Sequence, residues 1–321
     1  ILRQLEVEHP TARILVEISQ LQDQEVGDGT TSVVILAAEL LRRANELIKN
    51  KVHPTHVISG FKLAMKAAVK YIEEVQAVTV ESLGPSGLAS VARTSLSSKL
   101  LSGEGNHFAD LAVKAILQVA TPLGKHPIKN VHVIRAHGLS MQESDLFPGY
   151  VIRASRTSQQ MPIRIDNPKI ACVDFNLSKF RLGMGLQVLV NDPHNLELIR
   201  KRELDILKER LSKILAAGVN VIFTTKAIDD VAAKYMVEKG VIGIRRVEKG
   251  DLRRIAKATG ATIITTLATG DGTENFEEVN AGRAEAVYEE NLGDSDFIFV
   301  KLAKGPSPVC SIILRGASET M

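Results

Sequence analysis

Asp28 stands between two glycines in Glu25-Val-Gly-Asp-Gly-Thr-Thr and is followed by a predicted helix whose apolar stripe spans residues 33–48. Gly27 and Gly29 allow a sharp backbone turn and close approach to a ligand. Thr30 and Thr31 add hydroxyls and backbone amides where a helix begins. Unpaired amides and the positive end of the helix dipole attract an anion there. Asp28 alone repels that anion. A Mg2+ ion removes the conflict, because Mg2+ is usually held by one or two carboxylates together with phosphate oxygens. The turn therefore reads as a site for a metal-bound polyphosphate. The same string also reads as an Asp-Gly turn that caps a helix and binds nothing. The chain holds a second copy, Gly270-Asp271-Gly272-Thr273, followed by acids and no apolar helix, which reads as a solvated acidic loop.

Other nucleotide signatures fail. A P-loop needs GxxxxGK[ST] after a strand, and here no lysine follows the glycines and the preceding element is helical. Gly183 to Gly185, "GMG", lacks the third glycine of a dinucleotide fingerprint. His53 and His56 lie three apart, but nothing completes a zinc set; a helix cap beside Pro54 is the better reading. Arg245, Arg246, Arg253, Arg254 and Lys257 form a basic cluster without aromatic interleaving, with Glu248 and Asp251 nearby, and read as a solvated face. No GxSxG elbow or Cys-His nucleophile pair is present.

The elements that must position the turn are helical. Apolar residues at Ile14, Leu15, Ile18 and Leu21 follow a helical period from Pro10. Val33, Leu36, Ala37, Leu40, Leu41, Ala44, Leu47 and Ile48 form one stripe, and a third helix is predicted from about Pro54 to Glu74. From Glu81 the pattern turns mixed, punctuated by Gly84, Pro85 and Gly87. A helix over 108–119 and a strand over 130–138 follow. Beyond Tyr150, strands are predicted at 170–175, 186–190, 219–224, 241–245, 262–265 and 297–301. Helices at 193–217, 229–239 and 249–259 fall between them, with Asp192 as a cap and Pro193 in the first turn. Strands alternating with helices give an α/β domain.

The bulk numbers set bounds. With 321 residues the chain has room for about two domains. At 45% hydrophobic and 24% charged it has ordinary globular composition. A net charge of +3, only 4% aromatic residues and no Trp give little basis for nucleic-acid binding. Cys172 and Cys310, both in apolar strand-like runs, read as buried free thiols of a reducing compartment. The longest apolar stretch, 33–41, is nine residues and contains Glu39, against about 20 for a membrane span. No signal-peptide pattern opens the chain, which reads as the middle of a longer protein.

The longer string "LEVEHPTARILVEISQLQDQEVGDGTTSVVILAAELL" resembles the nucleotide-binding segment of group II chaperonins, the cytosolic CCT/TRiC family. The resemblance continues through "VHPTHVISGFKLAMKAAVKYIEE", "ARTSLSSKLLSG", "AHGLSMQES", "QQMPIRIDNPKIACVDF", "RRVEKGDLRRIAKATGATII" and "SIILRGASE", and so covers essentially the whole chain. "LEVEHPTA", "AAELLRRANELI" and "HGLSMQES" mark one subunit type within it, although the last departs from the usual residue order.

The resemblance implies a multidomain fold, with a helical equatorial ATPase domain, a mixed intermediate domain and an α/β apical substrate-binding domain. Residues 1–78 match the first equatorial segment, 79–146 the first intermediate segment, 147–303 the apical domain, and 304–321 the start of the intermediate return. Asp28 matches the family's Mg2+ ligand, and Gly27, Gly29, Thr30 and Thr31 its phosphate contacts. Ser98, Lys99 and the stretch to His107 resemble the segment that approaches the nucleotide. Asp192 to Glu209 matches the helical protrusion that acts as a lid. Asp229 to Lys239 matches a helix facing the cavity, where Val231, Tyr235 and Met236 are expected to touch unfolded clients.

The implied protein is a cytoplasmic, ATP- and Mg2+-dependent chaperonin subunit. Its partners would be other subunits of a hetero-oligomeric double ring and clients of the actin and tubulin class, with no nucleic acid or membrane. The family's upstream phosphate loop, its water-orienting aspartate and its glycine-rich nucleotide stretch do not occur in this sequence. No catalytic residue is therefore expected within the chain, and the ATPase site of this stretch alone is incomplete. The alternative from another class is a truncated relative without ATPase activity, acting as a client- or partner-binding module. A nucleotide-dependent small-molecule enzyme is disfavoured, because no substrate-side chemistry is visible.

Overall fold

A computed structural model describes residues 6–99, 101, 103, 105–121, 127–179, 193–268, 273–303 and 309–317. The predicted strand 186–190, Asp192, the Gly183–Gly185 string and Gly270, Asp271 and Gly272 of the second glycine turn lie outside these residues. The chain divides into two units, Ile1–Lys99 and Leu100–Met321.

The first unit is helical. α1 (Pro10–Glu25) and α2 (Thr30–Lys49) form a helical hairpin closed by the glycine turn. α3 (Pro54–Tyr71) runs on into a single π turn, Ile72–Gln76. Two His-Pro-Thr strings start α1 and α3 by the same device. The His9 side chain accepts from Thr11 N (3.2 Å) and the His53 side chain from Thr55 N (3.3 Å), with proline in the first turn, where its missing N–H costs nothing. The capping reading of His53 therefore holds. The region read as mixed from Glu81 is instead helical: α4 (Val80–Leu96) bends at Gly84 (φ 62°, ψ 177°), and Pro85 restarts it as a first-turn proline. Glycine and proline there mark a kink between two helical pieces, not a loop. The α2 stripe forms as predicted, yet Leu36 and Leu41 remain 62% and 51% exposed.

In the second unit, α5 (Gly105–Gln118) packs through Ala115 and the following Val119 on a three-stranded sheet of order β1-β12-β2. β1 (Val131–His137) pairs parallel with β12 (Cys310–Gly316), which pairs antiparallel with β2 (Asp145–Phe147). An antiparallel sheet of order β3-β11-β10-β4 joins Gly149–Ile152, Ser295–Lys301, Ala286–Leu292 and Arg164–Asp166. The third sheet has the order β7-β6-β5-β8, built from Ile242–Ile244, Val221–Thr224, Lys169–Val173 and Ile263–Ile264, with β9 (Gly282–Arg283) antiparallel beside β5.

α6 (Pro193–Ala216), α7 (Asp230–Glu238) and α8 (Lys249–Thr259) are the crossovers of that parallel sheet. Alternation along β5 decides which helix lies on which face. Ile170 and Cys172 point to a core shared with Leu252, Ile255 and Ala256 of α8. Ala171 and Val173 point to Leu207, Leu211 and Ile214 of α6 and Ala232, Ala233 and Met236 of α7. Both strand faces are covered, so these strands read as apolar runs, as buried parallel strands do. Cys172 and Cys310 are buried free thiols, pushed up to about 12 and about 11 by burial.

One prediction concerns the seam between β3 and β11. Gly149 pairs with Lys301, and a Cβ on Gly149 would collide with the Val300 carbonyl and lie 2.9 Å from the Phe147 ring. Backbone cannot move aside as a flexible side chain can. Gly149→Ala is expected to destabilise this unit by about 3 kcal/mol, at the upper end of overpacking costs, read from the urea midpoint. An unchanged midpoint would refute the steric account.

Candidate functional site

The glycine turn adopts the geometry its residue types require. Gly27 and Gly29 both have left-handed backbone, at φ 76° and 72°, which a side chain would strain. Gln22 of α1 braces the turn by donating from Nε2 to the Asp28 carbonyl at 3.1 Å, and Ser19 donates to the Thr30 carbonyl at 3.3 Å. α2 starts at Thr30 with Gly29 as its N-cap and no side chain capping it. Its first amides are thereby open at the positive end of the helix.

Asp28 gathers three donors. Gly29 N donates to Oδ1 at 2.8 Å, Lys99 Nζ donates to the same oxygen at 3.1 Å, and Ser95 Oγ donates to Oδ2 at 2.6 Å. The Ser95 hydroxyl first, then the Gly29 amide and the Lys99 ammonium, hold the Asp28 carboxyl down at about 2. A carboxylate with a vacant lone pair beside uncapped amides suits a divalent cation carrying an anion. Mg2+ takes one protein carboxylate when phosphate oxygens and water complete its shell. Gly27, Asp28, Gly29, Thr30 and Thr31 are the residues that could hold Mg2+-polyphosphate.

The residues expected on either side of the site behave differently. Lys99 reaches Asp28 directly. Ser98 does not: its hydroxyl donates back to the Ser95 carbonyl at 3.3 Å and finishes the helix end. His107 belongs to the second unit, where Nε2 lies 2.9 Å from the Ser144 carbonyl. Gln22 and Ser95 were not among the residues expected from sequence. For Ser95 the one signal was its place four residues before Lys99, in the last turn of α4.

The client-contact expectation needs a correction. Met236 is fully buried, packed between α7 and the parallel sheet, and has no surface to offer. The period of α7 turns Ala232, Ala233 and Met236 inward together. Val231 and Tyr235 are half-buried, leaning on the same core. In the basic cluster, Arg254 bonds the Tyr150 hydroxyl at 3.2 Å and pairs with Asp251 at 3.4 Å, while Arg245, Arg246, Arg253 and Lys257 are exposed.

The family model described as the TCP-1/cpn60 chaperonin family matches residues 1–321. The T-complex protein 1 subunit alpha of Tetrahymena pyriformis is 58% identical over all of this chain, and that of Arabidopsis thaliana is 54% identical. The thermosome subunit beta of Saccharolobus solfataricus is 38% identical over 99% of the chain. The chain spans 59% of the length of the two alpha subunits and 57% of the thermosome subunit. In three dimensions it is similar to the open-state monomer of a group II chaperonin from Methanococcoides burtonii. The TM-score is 0.62 at 28% identity, covering 92% of this chain and 66% of that one.

Proposed function

This chain belongs to the TCP-1/cpn60 chaperonin family, and from that premise we propose that the full-length protein is a subunit of a cytosolic hetero-oligomeric chaperonin ring. It folds proteins of the actin and tubulin class, and MgATP binding and hydrolysis drive closure of its lid. The observation that carries the proposal is Asp28, set in a left-handed glycine turn at the uncapped start of α2, with Lys99 on its carboxylate.

In this reading residues 1–78 are the first equatorial segment, 79–146 the first intermediate segment, 147–303 the apical domain and 304–321 the start of the intermediate return. Mg2+ held by Asp28 would supply positive charge against the phosphate oxygens of the nucleotide. The chain's own residues bind and orient. Gly27 and Gly29 let the backbone approach the phosphates, the amides of Thr30 and Thr31 receive them, and Asp28 orients the cation. Lys99 supplies a positive charge from just beyond the end of α4. The residue that orients the attacking water is assigned to the part of the protein beyond this chain. Nucleotide can move the lid only by binding the open and closed states with different affinity. Val231 and Tyr235, half-buried on α7, are assigned to client contact. No helix among the described residues is long and apolar enough to cross a membrane.

The test is the native mass of the particle that carries this chain in extract of its source cells. A very large multi-subunit particle is expected. A species no larger than one chain would overturn the ring, leaving a client- or partner-binding module as the role of the α/β unit.

A further inference from the structure

We propose that Ser95 is a positioning residue for the Asp28 carboxylate: it fixes the plane of that group and so decides which oxygen is left for a divalent cation. The inference rests on the reading of Asp28 as the Mg2+ ligand. Ser95 lies 67 residues from Asp28 in sequence, and its hydroxyl donates to Oδ2 at 2.6 Å. The other oxygen, Oδ1, already accepts from Gly29 N and Lys99 Nζ. A carboxylate offers about four lone-pair directions. Three donors use three of them, and the one that remains is on Oδ2.

Without the hydroxyl, the terminal torsion of an aspartate is broad and roughly two-fold, so a cation would have to order the group as it bound. Ser95 differs from the other donors in two ways that suit this role. Unlike Lys99 it is neutral, so a cation arriving at Oδ2 meets no repulsion from it. Unlike Gly29 it belongs to α4 and not to the turn, so the carboxylate is held from outside its own loop. The half-buried setting of Ser95 shields this hydrogen bond in part from competing water.

The test uses full-length protein and a fluorescent ADP analogue, titrated with Mg2+ and, separately, with EDTA present. Ser95→Ala is expected to weaken apparent Mg2+ affinity about 10- to 100-fold, the usual effect of removing a group that orients a metal ligand. Nucleotide affinity in EDTA and Tm should stay as in the wild type, and Ser95→Thr, which keeps the hydroxyl, should restore Mg2+ affinity. A residue that merely ties two helices together would instead lower Tm and weaken nucleotide equally with and without Mg2+, and that result overturns the inference. Asp28→Ala separates the two claims. If it leaves Mg2+ affinity unchanged, the metal reading has failed. If it abolishes Mg2+ binding while Ser95→Ala does not, only the positioning role has failed.

Discussion

Asp28→Ala in the full-length protein should reduce Mg2+-dependent ATP turnover about 100-fold or more, the scale of losing one preorganised electrostatic group. The substitution removes the only charge on the turn that attracts a cation, while Gly27 and Gly29 keep their left-handed backbone. Folding should survive, since Asp28 is half-exposed and fills no core. Asp28→Asn refines the result, because an amide keeps the shape and loses the charge. If the asparagine variant is as inactive as the alanine one, charge is what the site needs. The Asp28 carboxyl sits at about 2, below its ordinary 3.8. A carboxyl whose pKa is lowered by folding keeps its native contacts above the ordinary value and loses them as pH falls through the lowered one. Contacts to Asp28 therefore persist through mild acid and disappear between about 4 and about 2. Turnover that Asp28→Ala leaves unchanged would sink the metal assignment.

The largest expected effect on stability lies elsewhere, at Arg156 and Glu289. Both side chains are only 12% exposed, and Arg156 Nε donates to a Glu289 carboxylate oxygen on β10. Arg156 Nη1 also donates to the carbonyls of Gln159 (3.4 Å) and Met161, so one guanidinium pins the loop between β3 and β4. That loop carries Met161, buried at 2% exposure, whose sulfur accepts from Gly243 N at 3.3 Å. Glu289→Ala leaves the guanidinium buried without its counter-charge, and such a change costs about 3–5 kcal/mol. The double variant Arg156→Met/Glu289→Leu, which removes both charges, should recover most of that loss, because an apolar pair of similar volume often matches a buried ion pair. Urea midpoints of the single and double variants measure both. A loss under about 1 kcal/mol for Glu289→Ala would place the pair among weak surface bridges.

Several elements were legible because their signal is local. The His-Pro-Thr caps, the stripe of α2, the glycine turn and the three crossover helices each follow from residue types within one or two turns of chain. α4 was obscured for an equally local reason: glycine and proline at a kink look like a loop. The strands missed from sequence, among them Ala286–Leu292 and Gly149–Ile152, have no such local signature. Tyr288, Glu289 and Glu290 give β10 a polar middle, and it is a strand because β11 and β4 pair with it on either side.

The sequence by itself determined the family, the α/β and helical division of the chain, and the aspartate in its glycine turn. These depend on chain direction, period and backbone freedom, which neighbouring residues fix among themselves. The tertiary structure decided which groups meet that aspartate and which apolar residues are available at the surface. Ser95 and Lys99 reach Asp28 across 67 and 71 residues, and Met236 is lost to the core because the strands under α7 bury that face. Contacts of this kind depend on how helices and strands pack over long separations. No spacing within the chain encodes that distance.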